Sequence, residues 1–211
     1  MLMGKDEHKI DPRLARNYAD LATDDQRVVY RQWADSYDEE LIEEFGYIAP
    51  QEAVNAFVHR VPDRKAPVLD MGCGTGLAGK LLDQAGYEHI DGIDLSPEML
   101  EKAAALNVYC HLWEGDLTAV IDVQPIYQAV ICVGVFSHKP DQPFLIPKLL
   151  DWLLPGGLVI ATVNGKGWRD IGWVELLEES QRQHDFNLES VDDIGYLVKQ
   201  GIDGKLLTIR P

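Results

Sequence analysis

The sequence is short of positive charge. Nineteen Lys/Arg stand against 35 Asp/Glu, a formal net charge of −16 over 211 residues. The acids are spread along the chain rather than gathered in a tail, so most of them serve solubility. The deficit argues against a nucleic-acid binder, whose affinity rests on Lys and Arg releasing counterions from phosphates. It equally argues against an anionic membrane surface as partner. Cysteine is scarce too: Cys73, Cys110 and Cys132 include no C-x-x-C pair and no His–Cys cluster at metal spacing. They read as free thiols in a reducing cytoplasm, and no metal site is expected. The longest apolar run, about Ala129–Phe136, falls far short of the ~20 residues that a membrane helix needs. The opening MLMGKDEHKIDP lacks the apolar stretch of a secretory signal, so a cytoplasmic location is expected.

What is present suffices for a sizeable core, with 46% apolar and 26% charged residues. From about residue 66 onward, strand-like and helix-like segments alternate. Ala66–Met71, His89–Asp94, Val108–Trp113, Tyr127–Val133 and Leu158–Val163 read as strands. Leu77–Gln84 has helical spacing, Ser96-Pro97-Glu98 opens a second helix with Ser as cap, and Pro147–Leu154 supplies a third. Pro155-Gly156-Gly157 is expected to turn the chain into the fifth strand. This alternation predicts an open α/β sheet with helices on both faces and ligands at the carboxyl ends of the strands. Farther on, Trp173–His184 reads as a helix. Glu189–Val198 and Lys205–Arg210 read as an antiparallel pair joined by a turn carrying Gly201 and Gly204. Residues 1–60 look helical, with Asp24 and Asp25 ahead of Arg27–Phe45 and a further helix over Pro50–Val61. One compact unit is expected, with an extension over 1–62 and a core over 63–211.

The strongest local feature is Val68-Leu69-Asp70-Met71-Gly72-Cys73-Gly74-Thr75-Gly76, a strand running into a glycine turn and then a helix. Glycines there allow a tight fold and close approach of a ligand to the main chain. Gly74–Gly79 satisfies the dinucleotide pattern G-x-G-x-x-G, which alone is weak. Two carboxylates narrow the ligand. Asp70 is expected at the lip of the loop, where it would repel a pyrophosphate and attract an ammonium or sulfonium. Asp94 ends the second strand, where an acid can accept both ribose hydroxyls. S-adenosylmethionine fits both charges better than a nicotinamide dinucleotide, so an oxidoreductase is the weaker reading.

VLDMGCGTG, GIDLSPEML, EGDL and LLPGGLVIATVN resemble, in this order, the successive motifs of class I S-adenosylmethionine-dependent methyltransferases over roughly residues 60–165. The resemblance implies a Rossmann-like, doubly wound seven-stranded sheet, mostly parallel with a C-terminal antiparallel strand, beside the N-terminal helical extension. It also implies that Asp70, Gly72, Cys73, Gly74 and Gly76 hold the methionine moiety and Asp94 the ribose diol. Leu95 would lie against the adenine, Asp116 would accept from the adenine amine, and Leu117 would offer a backbone N–H. Cys132 and Val133 would pass beneath the cofactor. Cys73 reads as a packing residue rather than a nucleophile. Tyr30-Arg31-Gln32-Trp33-Ala34-Asp35-Ser36-Tyr37-Asp38, Gly46-Tyr47 and Gly134-Val135-Phe136-Ser137-His138 are similar to the methyltransferase-like protein 27 (Williams–Beuren region) group and its bacterial relatives.

Tyr30, Trp33 and Tyr37 share one helical stripe, which either packs on the sheet or closes over the cofactor as an aromatic lid. His138 stands next to the expected methyl donor and is the candidate base, against the alternative of a loop histidine that only shapes the pocket. Arg169, with Trp168 and Trp173 around it, is a candidate for an acceptor carboxylate or else a surface residue. The reaction expected is in-line methyl transfer from S-adenosylmethionine, leaving S-adenosylhomocysteine, with the protein mainly positioning the reactants. Cys132-Val133-Gly134-Val135 stands where amine-methylating DNA enzymes carry (N/D)-P-P-(Y/F), and no Pro-Cys nucleophile occurs there. A small-molecule acceptor is therefore expected, for a monomer or homodimer. A protein side chain as acceptor, or binding without catalysis, is the alternative.

Overall fold

Val68–Met71 (β1) is buried along its whole length, as suits a strand covered on both faces. In the computed structural model, which describes residues 40–117, 119 and 126–211, it lies inside a seven-stranded sheet. The other strands are Ile90–Asp94 (β2), His111–Glu114 (β3), Tyr127–Phe136 (β4), Leu153–Asn164 (β5), Asn187–Leu197 (β6) and Ile202–Arg210 (β7), in the order β3-β2-β1-β4-β5-β7-β6. β1 to β5 pair in parallel, and β7 runs antiparallel to both β5 and β6. This is the doubly wound sheet that the motifs imply. The strand order reverses beside β1, which opens a crevice between β1 and β4 at their carboxyl ends.

Side chains alternate across the sheet and so build two cores. Val68, Ile90, Ala129, Ile131 and Ile160 face Ala49–Arg60 (α1) and Leu77–Gln84 (α2), packing against Ala53, Val54, Phe57, Ala78 and Leu82. Their neighbours Leu69, Met71, Val130, Cys132, Val159 and Ala161 face the opposite layer. That layer is made by Ile146–Leu150 (α4), Gly165–Asp170 (α5) and Trp173–Gln183 (α6), through Ile146, Leu149, Trp173 and Leu177. Pro97–Ala105 (α3) begins as its sequence predicts: the Ser96 Oγ accepts from the Met99 N–H at 3.3 Å, and Pro97 takes the first turn.

Several boundaries differ from expectation. β3 starts at His111 rather than Val108, because Tyr109 is turned under the glycine loop instead of joining the strand. β5 begins at Leu153, so α4 ends early. Pro155, Gly156 and Gly157 bulge within that strand, the register jumping from Tyr127↔Leu153 to Ala129↔Leu158. Gly204 lies inside β7 rather than in a turn; a Cβ there would come 2.6 Å from the Tyr196 ring, so the position must be bare. The connection is a short 3-10 turn over Val198–Gln200 closed by Gly201. The helix expected over Arg27–Phe45, with Asp24, Asp25, Tyr30, Trp33 and Tyr37, lies outside the described residues except for its last part. There Glu40–Glu44 forms a π-helical turn. No helix among the described residues is long and apolar enough to cross a membrane.

Candidate functional site

The chain leaves β1 through Gly72, Cys73 and Gly74 and enters α2 after Gly76. Gly72 and Cys73 both donate their backbone N–H to the carbonyl of Ile93, at 2.8 and 3.0 Å, which ties the loop to the end of β2. Gly72 has φ +74°, and a Cβ there would collide with the side chain of Val135 from β4. Gly74 has φ +54° and only open space where its side chain would be, so its backbone is bare toward the cleft. Its N–H donates to Asp94 Oδ2 at 2.8 Å, and the Ser96 N–H donates to Oδ1 at 2.9 Å. Asp94 thus braces the loop from β2 and, with four lone-pair sites on its two oxygens, keeps capacity to accept from a ligand. Burial raises its pKa, and the N–H groups of Ser96, Gly74 and Leu95 pull it back toward the charged form. The Gly115 N–H donates to the Asp94 carbonyl at 2.9 Å, which brings Asp116 and Leu117 to the same place.

These segments wall one cavity of about 410 Å³, a size suited to a single small ligand. Asp70, Gly72, Cys73, Gly74, Asp94, Leu95, Asp116 and Leu117 all border it, so the structure brings together most of the residues named from the sequence. Gly76 is set back from the wall as the cap of α2. Cys132 is wholly buried under the cavity, with Val133, Gly134 and Val135 forming the wall after it. The thiols of Cys73 and Cys132 are both pushed up by burial and by nearby carboxylates, so neither is a thiolate.

Asp70 is placed differently from expectation. It is only 1% exposed, and its Oδ2 accepts from the Tyr109 hydroxyl at 2.7 Å. The carboxylate stands at the floor of the cleft, under the loop, rather than at its lip. Burial raises its pKa to about 7, with Asp94 adding to the rise and the Tyr109 hydroxyl and Gly79 N–H opposing it. Tyr109 itself escapes any reading of motifs. A signal was nonetheless present, since Gly79 and Gly92 sit mid-helix and mid-strand, where glycine is disfavoured. A Cβ at Gly79 would collide with the Tyr109 hydroxyl, and one at Gly92 would come 3.0 Å from its ring.

Residues 68–157 match the family model described as a methyltransferase domain. Over that segment the chain carries a methyltransferase domain. It is similar to human methyltransferase-like protein 27, with 34% identity over 142 residues that cover 64% of this chain and 56% of that protein. Trans-aconitate 2-methyltransferase of Pseudomonas aeruginosa is 30% identical over 135 residues, 64% of this chain and 48% of that one. The chain thus spans about half the length of these curated relatives. Among solved structures, a TehB-like methyltransferase of Corynebacterium glutamicum shares the fold with a TM-score of 0.59. It is 18% identical, and the match covers 86% of this chain and 97% of that one.

The far end of the cavity is bordered by Tyr47, Pro50, Lys139, Asp141, Gln142 and Leu145. Gly46 leads Tyr47 onto β6, where it bridges Leu197, and the Ile48 N–H donates to the Tyr196 carbonyl at 3.0 Å. The Tyr47 ring packs on that of Tyr196, and its hydroxyl lies 2.6 Å from where a Cβ of Gly134 would be. His138 is outside the cavity wall: its Nδ1 faces the Ser137 Oγ at 3.2 Å. Arg169 forms an ion pair with Asp203 at 2.7 Å, and Trp173 is a core residue whose indole N–H donates to the Ser137 carbonyl. Trp168 stacks on Trp173 with ring centroids 6.0 Å apart. Trp168 and Trp173 therefore build the layer behind this end of the cavity, and Arg169 is a surface residue.

Proposed function

We propose that this protein is an S-adenosylmethionine-dependent methyltransferase acting on a small-molecule acceptor. The observation that carries the reading is the convergence of the bare Gly74 backbone, Asp94 and Asp116 on one cavity. The donor set fits the cofactor. A loop open to the main chain, two acids on the nucleoside side and a buried Asp70 below suit an adenosine that carries cations and no phosphate. Asp94 would accept from the ribose hydroxyls alongside its backbone donors. Asp116 and Leu117 would meet the adenine, and Gly72–Thr75 the methionine end. When bound, the cofactor supplies a methyl group already activated on sulfonium. The chain's task is then to position both partners and exclude water.

The acceptor would enter at the end bordered by Tyr47, Pro50 and Lys139–Leu145, between the start of α1 and the turn after β4. A small acceptor is supported by the cavity's size and by the net charge of −16, which disfavours nucleic acid. The Pseudomonas aeruginosa relative is likewise named for a small organic acid. Tyr47 and Pro50, from the extension read over residues 1–62, would shape this entrance.

Transfer of labelled methyl from S-adenosylmethionine into a fractionated cell extract tests the reading. Label is expected in the low-molecular-mass fraction. Label in protein alone moves the acceptor to a side chain. Binding of S-adenosylhomocysteine without any transfer reduces the protein to a cofactor binder.

A further inference from the structure

Beneath the glycine loop lies a buried acid–phenol pair that the cofactor motifs do not require. Tyr109 comes from the segment ahead of β3, and three elements make room for it. Cβ atoms at Gly79 of α2, at Gly92 of β2 and at Gly76 would each press on its ring or hydroxyl. Its hydroxyl donates to Asp70 Oδ2 at 2.7 Å, and the Gly79 N–H serves the same cluster. A ring admitted by three glycines and aimed at one carboxyl is a built contact.

Among the described residues, the titratable groups facing Asp70 are all neutral or acidic. They are Tyr109 from the segment before β3, Cys73 from the loop, Asp94 from β2 and Cys132 from β4. Asp94 has two backbone donors fixed on its oxygens, which favour its charge, whereas Asp70 shares a floor with two thiols and a phenol. A cation entering the cavity that Asp70 borders is therefore the event that makes ionisation of Asp70 favourable.

We propose that Tyr109 is a positioning residue that holds Asp70 under the loop, and that binding of a cationic methyl donor drives release of a proton from this pair. The inference rests on the methyltransferase reading above. The O–H bond of the Asp70 carboxylic acid breaks, its electron pair stays on the carboxylate, and the proton leaves to buffer. The Tyr109 hydroxyl donates to the resulting anion and so sets the pH at which release occurs. With the Asp70 pKa raised to about 7, roughly half a proton leaves per donor bound at pH 7.

Calorimetric titration of the full chain with S-adenosylmethionine, in two buffers of different ionisation heat between pH 6 and 9, counts the protons. The same titration with S-adenosylhomocysteine, which lacks the sulfonium charge, should release fewer. Asp70→Asn should abolish the release. Tyr109→Phe should move it to higher pH, with affinity at pH 7 reduced about fivefold and regained at pH 9. A merely structural role for the phenol would leave no recovery at high pH. Equal proton release by the wild type and Asp70→Asn, or a wild-type pH profile for Tyr109→Phe, would overturn the proposal. Absence of binding by either ligand at every pH would instead overturn the methyltransferase reading, and this inference with it.

Discussion

At the cofactor end of the cavity the backbone is tied down by its own neighbours: Gly72 and Cys73 to Ile93, Gly74 and Ser96 to the Asp94 carboxylate, Gly115 to the Asp94 carbonyl. At the acceptor end the wall is assembled from Tyr47 and Pro50, which precede the sheet, and Lys139–Leu145, which follow β4. There the supports are side chains: Gln142 takes the Ser137 N–H at 2.6 Å and gives its amide to the Val135 carbonyl at 2.9 Å. The first arrangement is closed within consecutive strand–loop units and leaves little room for variation. The second depends on residues about ninety positions apart, held by side-chain contacts rather than by one strand–loop unit. A fixed cofactor end beside a changeable acceptor end is how one fold serves many acceptors.

The largest effect expected is at Asp94. Asp94→Ala removes the acceptor of two loop N–H groups together with the groups that would hold a ribose diol. Charge-assisted hydrogen bonds are worth roughly 1.5–3 kcal/mol each, so cofactor affinity should fall by about 10²–10⁴-fold. Calorimetry with S-adenosylhomocysteine measures it, and unchanged affinity would end the claim that this end is the cofactor's.

Asp70→Asn tests the same end through stability. The folded-state pKa of Asp70, about 7, lies above the ordinary value of 3.8, so the folded protein holds this proton more tightly than the unfolded chain. Stability is then fully present below about pH 4 and declines as pH rises to about 7, by up to about 4 kcal/mol. An asparagine amide keeps the shape, and its oxygen accepts from the Tyr109 hydroxyl without a charge. The variant should match the wild type in acid and melt on the order of 10 °C higher at pH 8. Identical melting curves at both pH values would show that Asp70 is ionised at no cost.

Gly79→Ala should cost about 1–3 kcal/mol, because α2 cannot retreat from the Tyr109 ring it would strike. Gly156→Ala, whose Cβ would meet open space at φ +79°, should cost only the backbone strain of about 1–2 kcal/mol. Urea unfolding of the pair separates crowding at the cofactor floor from strain in a surface bulge.

The sequence showed the cofactor end well for a physical reason. Glycine turns, strand-end acids and the Ser96-Pro97 cap are local chemistry, and α2 appears with the bounds that periodicity predicts. The open, mostly parallel α/β sheet follows from the β-α alternation and was legible too, whereas the doubly wound form came from the motif resemblance. Tyr109 was not legible, because its partner Asp70 is 39 residues away and a lone tyrosine before a short strand carries no pattern. The burial of Asp70 depends on the same distant contact and leaves no local signal either. Tyr47 was noticed only as part of a resemblance, since what delivers it is a bridge to Leu197 at the other end of the chain. The bulge at Pro155-Gly156-Gly157 looked like a turn because those residues favour turns whether or not the flanking strand continues through them.

The smallest effect expected falls on the residue that local reasoning ranked first for chemistry. His138 follows the cofactor-side strand closely in sequence, yet its ring is outside the cavity wall and beside the Ser137 hydroxyl. The segment is pinned on both sides: the Ser137 carbonyl accepts from the Trp173 indole at 2.7 Å, and the Ser137 N–H is held by Gln142. Bringing the ring to the acceptor would break contacts worth about 1 kcal/mol each. Tyr47, by contrast, already borders the acceptor end. Tyr47→Phe should lower kcat/KM for the acceptor about tenfold, the worth of one hydrogen bond to a reacting partner, with cofactor affinity unchanged. His138→Ala should lower it less than about threefold and leave the pH–rate profile intact. A loss of 10²-fold or more in that variant, with one limb of the profile gone, would restore His138 as the base. The pinned turn would then have to open during turnover, and the acceptor end would be more mobile than the cofactor end beside it.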